Sequence, residues 1–220
     1  MKHDFHYISK HDPAVKKDYQ DLIHLLNELQ NLLRDKFTFQ YSIVGSYSRN
    51  MITYDTKSNV GYDFDFNIEV NDSSREYSED QIKKFIMNGL NKIVKKYDYS
   101  DAKDSTRVIT IKKIDHKNSR ILSSCDLCIV NNYTDDDGYE CQELIVFDKK
   151  SNHYIWNEQS EGYYMLPDKI DYLKENDLWQ EVRDRYIKFK NYNEDPTVHS
   201  RTLFANAVHQ MCQKYGYFED

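Results

Sequence analysis

Apolar residues along this chain of 220 residues recur at two spacings, and each spacing predicts a different kind of element. A spacing of three to four residues predicts amphipathic helices over residues 13–36 and 78–97. Strict alternation over residues 62–70 predicts a strand with one buried face and one open, acidic face. Further strands are expected over residues 37–44, 107–114, 120–130 and 141–147, and further helices over residues 169–175, 178–190 and 199–215.

The order of these elements predicts an α+β fold, in which a mixed sheet with flanking helices precedes a small C-terminal helical cap. We place the core at residues 1–158 and the helical cap at residues 159–220. Asp12 before Pro13 is a typical N-cap and first-turn pair for the first helix. Ser78 and Gln81 have the spacing of a capping box at the second helix.

Composition narrows the choice of partners. Hydrophobic residues make up 39% of the chain, enough for a buried core, and the net charge is -7. A surface that binds a long nucleic-acid duplex usually carries a basic excess, so we expect no long duplex partner. No apolar run approaches membrane-spanning length, and the N-terminus lacks an apolar signal core. We therefore expect a cytoplasmic protein with no membrane partner.

Two of the four cysteines, Cys125 and Cys128, form a C-x-x-C pair that invites a zinc or redox interpretation. Both lie in a predicted strand, where side chains three residues apart point to opposite faces. They cannot grip one ion together, and ordinary buried thiols are the better interpretation.

Three carboxylates are candidates for a metal site. Asp63 and Asp65 lie two residues apart in the acidic strand, so both project from one face. Two like charges that close repel each other, and a divalent cation relieves that repulsion. Asp126 lies in a mainly apolar strand, where a single carboxylate is costly unless it pairs or binds metal. Three such acids would suit two ions about 3.5–4 Å apart.

Gly45 and Ser46 follow the strand over residues 37–44 and supply a second candidate feature. Glycine allows the backbone to approach a phosphate closely, and the amides that follow lie at a helix start that attracts anions. The Ser46 hydroxyl can bond a phosphate oxygen, or it can act as a helix N-cap. Lys112 and Lys113 are adjacent in a strand, so at most one of them faces the site.

The stretches Ile43–Arg49, Tyr62–Phe66 and Cys125–Leu127 together resemble the signature of the nucleotidyltransferase superfamily of the DNA polymerase beta type. That signature reads apolar-Gly-Ser, a variable gap, apolar-Asp-apolar-Asp-apolar, and a later third carboxylate. The arrangement is similar to that of oligoadenylate synthetases, cyclic-dinucleotide synthases and archaeal CCA-adding enzymes. The resemblance covers roughly residues 13–147.

This resemblance implies transfer of a nucleoside monophosphate from a triphosphate, ATP or GTP, to a hydroxyl acceptor with release of pyrophosphate. It implies two Mg²⁺ (or Mn²⁺) ions, held by Asp63, Asp65 and Asp126 as the catalytic residues. The acceptor stays open: a nucleotide, a small molecule, an RNA end or a protein. The expected nucleotide-binding residues are Gly45, Ser46, Arg49, Lys188 and Tyr164.

Several alternatives stay open beside that hypothesis. Lys188 belongs to a helix face that is equally typical of solvated charge, and Lys190 or Arg201 are further candidates for the γ-phosphate. Where many relatives continue with Gly-Thr, this chain has Asn50 and Met51, and residues 54–60 are expected to form an insertion near the triphosphate. A non-catalytic nucleotide-binding or regulatory module on the same fold, or a protein-interaction module with an acidic face, are the competing functions.

Overall fold

The computed structural model describes residues 2–58, 60–72 and 75–217. The helix expected over residues 78–97 consists of an α-helix, Glu79–Ile93, followed by a 3-10 turn, Val94–Tyr97. The α-helices are α1 Pro13–Leu33, α2 Gly45–Ser48, α3 Glu79–Ile93, α4 Glu161–Glu175, α5 Trp179–Tyr192 and α6 Ser200–Tyr215. The strands are β1 Phe5–Tyr7, β2 Thr38–Val44, β3 Thr53–Asp55, β4 Tyr62–Asn71, β5 Lys103–Asp104, β6 Val108–Asp115, β7 Arg120–Thr134, β8 Glu140–Asp148 and β9 His153–Glu158.

The described residues group into two compact units. A sheet unit comprises Ile8–Ile52 and Asn59–Gln159, and a helical unit comprises Met1–Tyr7, Thr53–Ser58 and Ser160–Asp220. The α+β class expected from the sequence is confirmed. Two short segments that we had placed in residues 1–158 thus group with the C-terminal helices.

The sheet unit is built on a mixed sheet with the strand order β2-β4-β7-β6-β5. Its two central strands, β4 and β7, are parallel, and each pairs antiparallel with its outer neighbour. The long strand β7 also pairs with β8, which pairs with β9. The acidic strand expected from the alternating pattern is therefore a central strand.

The alternation of apolar and polar residues along β4 and β7 decides which face of this sheet is buried. Phe64 and Phe66 of β4 and Leu127 of β7 are buried in one cluster with the apolar stripes of α1 and α3. The expected caps are present: the Asp12 carboxylate accepts a hydrogen bond from the Ala14 amide, and Ser78 and Gln81 form the reciprocal capping box. Burial of this apolar face leaves the acidic side chains on the opposite, front face of the sheet.

The helical unit contains a pairing that the hydrophobic pattern did not predict. Strands β1 and β3 form a two-stranded antiparallel sheet, and α5 binds both of them. The Asn191 side chain accepts from the Phe5 amide at 2.5 Å, and the Lys190 ammonium donates to the Thr53 hydroxyl at 2.7 Å. Tyr54, at the start of the insertion expected over residues 54–60, is in β3, and residue 59 lies outside the described residues. The insertion itself stays a prediction.

Two further differences concern helix limits. Helix α4 begins at Glu161 rather than near Lys169 and continues through Pro167, which has no N–H to donate to the Tyr163 carbonyl one turn earlier. Strand β9 was missed because its short run mixes polar and aromatic residues without strict alternation. Across the helices of the described chain, no segment has the length and apolar character needed to cross a membrane.

Candidate active site

The three predicted acids lie on the front face of the sheet. Asp65 and Asp126 are direct partners in the parallel β4–β7 pair, and Asp63 is opposite Ser124. Side chains of paired residues point to the same face, and neighbouring strands are about 4.8 Å apart. Asp63 is exposed, whereas Asp65 and Asp126 are half-buried. The structure therefore places the three acids that the sequence pattern selected on one face of two neighbouring strands.

Neutral hydroxyl groups contact two of these acids. The Thr110 hydroxyl of β6 donates to Asp126 Oδ1 at 2.5 Å, and the Ser124 hydroxyl of β7 donates to Asp63 Oδ1. Register explains both contacts: Thr110 is opposite Asp126 across the β6–β7 pair, and Ser124 is opposite Asp63 across the β4–β7 pair. Sequence spacing alone places Ser124 on the face of Asp126, two residues away in β7, whereas Thr110 was missed because only the strand pairing shows that it shares the acidic face.

The electrostatics of the face disfavour a charged Asp126. Burial raises the pKa of the Asp126 carboxyl, and repulsion from Asp63 raises it further, while the Thr110 hydrogen bond and the Lys112 charge act against that rise. The Cys125 thiol has its pKa raised by burial and then by all three acids. A cation near this face would reverse the repulsion among the carboxylates.

The cysteine and lysine pairs obey the expected alternation. Cys125 is buried with the core, whereas Cys128 is on the opposite face and partly exposed. Lys112 is opposite Ser124 and acts on Asp126, so it belongs to the front face. Lys113 is buried on the reverse face. The two cysteines thus lie on opposite faces, and so do the two lysines, as the sequence predicted.

Gly45 is in direct contact with the acidic strand. Its φ of +69° lies in the left-handed region that favours glycine, and a Cβ built on it would lie 2.0 Å from Asp65 Oδ2. The Asp65 carboxylate thus occupies the space where a side chain would be. Gly45 and Asp65 form one structural feature, which links the two halves of the sequence signature.

The segment after Gly45 is a single helical turn. Val44, not Ser46, occupies the N-cap position of α2, so the alternative interpretation of Ser46 as N-cap was wrong. Ser46 and Arg49 are half-buried, and Arg49 ends the turn. Asn50 has a φ of 55°, a conformation that asparagine tolerates better than most residues. The departure from glycine at this position therefore keeps the backbone geometry.

Lys188 and Tyr164 belong to the helical unit. Lys188 is exposed on α5, and Tyr164 is 37% exposed on α4, with its ring 5.2 Å from that of Tyr163. Arg201 lies over the Tyr163 ring at 5.4 Å. Lys190 is buried and donates to Thr53, so it has a structural role in this unit. The nucleotide-binding roles of Lys188 and Tyr164 stay predictions.

The three acids differ in how well their chemistry and their arrangement suit magnesium. Carboxylate oxygens are the donors that Mg²⁺ prefers, and three carboxylates share the front face of β4 and β7. Within residues 2–58, 60–72 and 75–217, however, no three or more His, Cys, Asp or Glu side chains form a group that could hold a metal ion. Asp63 and Asp126 instead accept from Ser124 and Thr110. The donor type fits magnesium, and a carboxylate that accepts a hydrogen bond through one oxygen keeps its other oxygen as a donor to an ion.

Comparison with known proteins gave matches only at the level of structure. No protein-family model matches the sequence, and no curated protein matches it. The dinucleotide cyclase DncV of Vibrio cholerae, solved with GTP and 5MTHFGLU2, has a TM-score of 0.59 and 11% identity, covering 95% of this chain and 57% of that one. The STING-associated CdnE c-di-GMP synthase of Capnocytophaga granulosa has a TM-score of 0.58 and 15% identity, covering 96% and 64%.

The V. cholerae enzyme in complex with the linear intermediate 5′ pppA(3′,5′)pG matches at a TM-score of 0.58 and 12% identity, over 94% of this chain and 56% of that one. The chain thus spans between about half and two thirds of the length of these three structures. They are nucleotidyltransferase-superfamily proteins, and the resemblance inferred from the sequence signature is confirmed in the fold.

Proposed function

We propose that this chain is a metal-dependent nucleotidyltransferase that moves a nucleoside monophosphate from ATP or GTP to a hydroxyl group and releases pyrophosphate. One observation carries the proposal: Asp65 is the direct partner of Asp126 in the central parallel pair, and its carboxylate lies against Gly45. Glycine-serine turn and acidic strands therefore meet at one place, as a triphosphate site of this class requires.

The residues of the front face have separate tasks in this proposal. Asp63, Asp65 and Asp126 would hold two Mg²⁺ ions, which would neutralise charge on the phosphates and acidify the attacking hydroxyl. Gly45 and Ser46 lie where backbone amides and a hydroxyl can bind phosphate oxygens, and Arg49 adds a positive charge. The acceptor oxygen bonds to the α-phosphorus as the bond to the leaving pyrophosphate breaks, and the hydroxyl proton passes to a carboxylate or water.

We further propose that the acceptor is a hydroxyl of a second nucleotide. The comparison proteins support this choice, because they are dinucleotide synthases and one was solved with a linear dinucleotide intermediate. The negative net charge of -7 supports a small acceptor over a long duplex. Lys188 and Tyr164 of the helical unit are proposed to contribute a phosphate contact and a base contact.

The test is pyrophosphate release from GTP and ATP, alone and mixed, with MgCl₂ or MnCl₂, followed by mass spectrometry of the products. The Asp63→Ala/Asp65→Ala variant is expected to lose turnover by at least about a thousandfold, equal to about 4 kcal/mol of lost transition-state stabilisation. Asp136→Ala/Asp137→Ala removes the same charge from an exposed hairpin tip of the same unit and should retain full activity.

A second candidate function is non-catalytic nucleotide binding. The observation that favours it is the lack, among the residues that the structure describes, of a group of three or more acids, His or Cys ready to hold an ion. If calorimetry detects GTP binding and no mixture of nucleotides releases pyrophosphate, this alternative is supported and the enzymatic proposal is overturned. Absence of both binding and turnover would refute both.

A further inference from the structure

A buried carboxylate on the reverse side of the sheet contacts three strands at once. Asp18 of α1 is 6% exposed. Its Oδ2 accepts hydrogen bonds from the Tyr62 hydroxyl and the Ser123 hydroxyl, each at 2.8 Å, and its Oδ1 accepts from the Lys113 ammonium at 2.8 Å. Tyr62 belongs to β4, Ser123 to β7 and Lys113 to β6, so one side chain joins a helix to three neighbouring strands.

Each of these three partners is next in sequence to a residue of the front face. Tyr62 precedes Asp63, Ser123 precedes Ser124, and Lys113 follows Lys112. Because successive side chains in a strand point to opposite faces, the contacts of Asp18 lie directly behind those front-face residues. The register of the β4–β7 pair agrees with this placement, because Tyr62 is opposite Ser123 and Asp63 is opposite Ser124.

Removal of one charged side chain from this reverse-side group would leave its partner buried with an uncompensated charge. Lys113 is buried, and its ammonium also contacts Asp21 Oδ2 at 3.1 Å and lies 5.0 Å from the centroid of the Tyr99 ring. A buried ammonium is costly without its carboxylate, so the hydrogen bonds of Asp18 favour one fixed arrangement of helix and strands. The strands β4, β6 and β7 are thereby fixed where they carry Asp63, Ser124 and Lys112.

We propose that Asp18 is a positioning residue for the candidate active site, acting through Tyr62 and Ser123 to hold Asp63 and Ser124 in contact on the opposite face. The catalytic part of this inference depends on the proposed function, whereas the positioning part is a property of the folded chain. Asp18 itself does not touch a substrate, because it lies behind the sheet.

Two conservative variants remove single hydrogen bonds of Asp18 and leave the core packing in place: Tyr62→Phe and Ser123→Ala. The matched control is Tyr154→Phe, which removes a tyrosine hydroxyl that donates to Asp104 in the same unit but away from the acids. The first measurement is independent of turnover. In ¹³C-labelled protein, Ser123→Ala should shift the carboxyl resonance of Asp63, and Tyr62→Phe should shift the Cβ resonance of Ser124. Each of these resonances belongs to the opposite strand and not to the sequence neighbour of the substituted residue, and Tyr154→Phe should leave both unchanged.

The second measurement is steady-state turnover with GTP and MgCl₂ at a temperature where every variant is folded by circular dichroism. Tyr62→Phe and Ser123→Ala should lower kcat by about tenfold with KM for GTP unchanged, and Tyr154→Phe should keep the wild-type kcat. If neither cross-strand resonance moves, the positioning role is overturned. If the resonances shift in the variants but the wild-type protein has no turnover, the proposed function alone is refuted. If the resonances shift but both variants keep the wild-type kcat, the catalytic part of the inference is overturned.

Discussion

The two faces of the central sheet each carry a carboxylate away from bulk water, and they neutralise it in different ways. On the reverse face, Asp18 accepts hydrogen bonds from two hydroxyls and from the ammonium of Lys113. On the front face, Asp126 accepts from the neutral hydroxyl of Thr110, and Asp63 repels it. The reverse face therefore contains a positive charge that pairs directly with its carboxylate, whereas the front face places negatively charged side chains near one another.

This difference has a physical meaning because isolated carboxylates are costly away from water. The reverse face repays that cost with an ion pair that holds α1 on the sheet. The front face offsets less of that cost, because among the described residues only a neutral hydroxyl, that of Thr110, donates a hydrogen bond to Asp126, and the Lys112 charge acts without a direct bond. We infer that the positive charge which completes the front face comes from outside the chain, as a metal ion does when it binds to clustered acids.

The largest expected effect comes from making one substitution on each face. Asp18→Asn should lower the free energy of unfolding by about 3 kcal/mol, because the buried Lys113 loses its nearest carboxylate. Asp126→Asn should leave that free energy unchanged or raise it slightly, because a neutral amide relieves the burial and repulsion that raise the pKa of Asp126. Urea denaturation of both variants without divalent metal measures the contrast, and equal destabilisation would remove the distinction between the faces.

A third buried carboxylate, Asp55 of the helical unit, sharpens the comparison through pH. Its side chain is fully buried; burial alone would raise its pKa, but hydrogen bonds from His3 and from the amides of Asp4 and Lys57 hold that pKa well below its ordinary value. A depressed pKa contributes stability above the unfolded value of about 3.9, and the contribution disappears as pH falls through the lower folded value.

Asp55→Asn should therefore cost about 2 kcal/mol of unfolding free energy at pH 7, in the range for hydrogen bonds to a buried charged group. The difference from wild type should shrink as the pH is lowered below about 4. Denaturation curves at a series of pH values measure this. A difference that stays constant down to pH 2 would show that the Asp55 charge has no part in stability.

The sequence predicted the front face better than the reverse face, for a physical reason. Asp63 and Asp65 belong to one alternating strand, so their common face follows from sequence spacing alone. The partners of Asp18 come from three separate strands, and Ser123 or Tyr62 carries no local sign of a distant carboxylate. The same limit hid Thr110 beside Asp126 and the contact of Ser124 with Asp63 across the β4–β7 pair. It also hid the β1–β3 pair, whose six residues are too few to show a period.

Gly45 allows a test of how closely the turn and the acidic strand are joined. Gly45→Ala places a Cβ against the Asp65 carboxylate in addition to straining a positive φ, whereas Gly138→Ala has a φ of +89° with open space around the added Cβ. The clash should make Gly45→Ala less stable than Gly138→Ala by about 1.5 kcal/mol. Equal unfolding free energies of the two variants would contradict the close contact. Gly45→Ala should also lower turnover, because the displaced carboxylate is one of the proposed metal ligands.

The smallest expected effect tests the missing counter-charge most directly. A cation that binds the folded front face stabilises it by RT ln(1 + [L]/Kd), which is about 1.4 kcal/mol at ten times Kd. Thermal unfolding should therefore shift to higher temperature with MgCl₂ or MnCl₂, and addition of EDTA should reverse the shift. NaCl at matched ionic strength controls for general screening of the -7 net charge.

The comparison of the two faces predicts which variants lose this shift. Asp65→Asn should abolish it, because Asp65 is in register with Asp126 and adjacent to Gly45. Tyr154→Phe changes a hydroxyl in the same unit away from the three acids and should retain it. If Asp65→Asn gains as much stability from Mg²⁺ as the wild type, the ion binds elsewhere, and the concentrated negative charge of the front face then needs a different explanation, such as a cationic group on a partner protein.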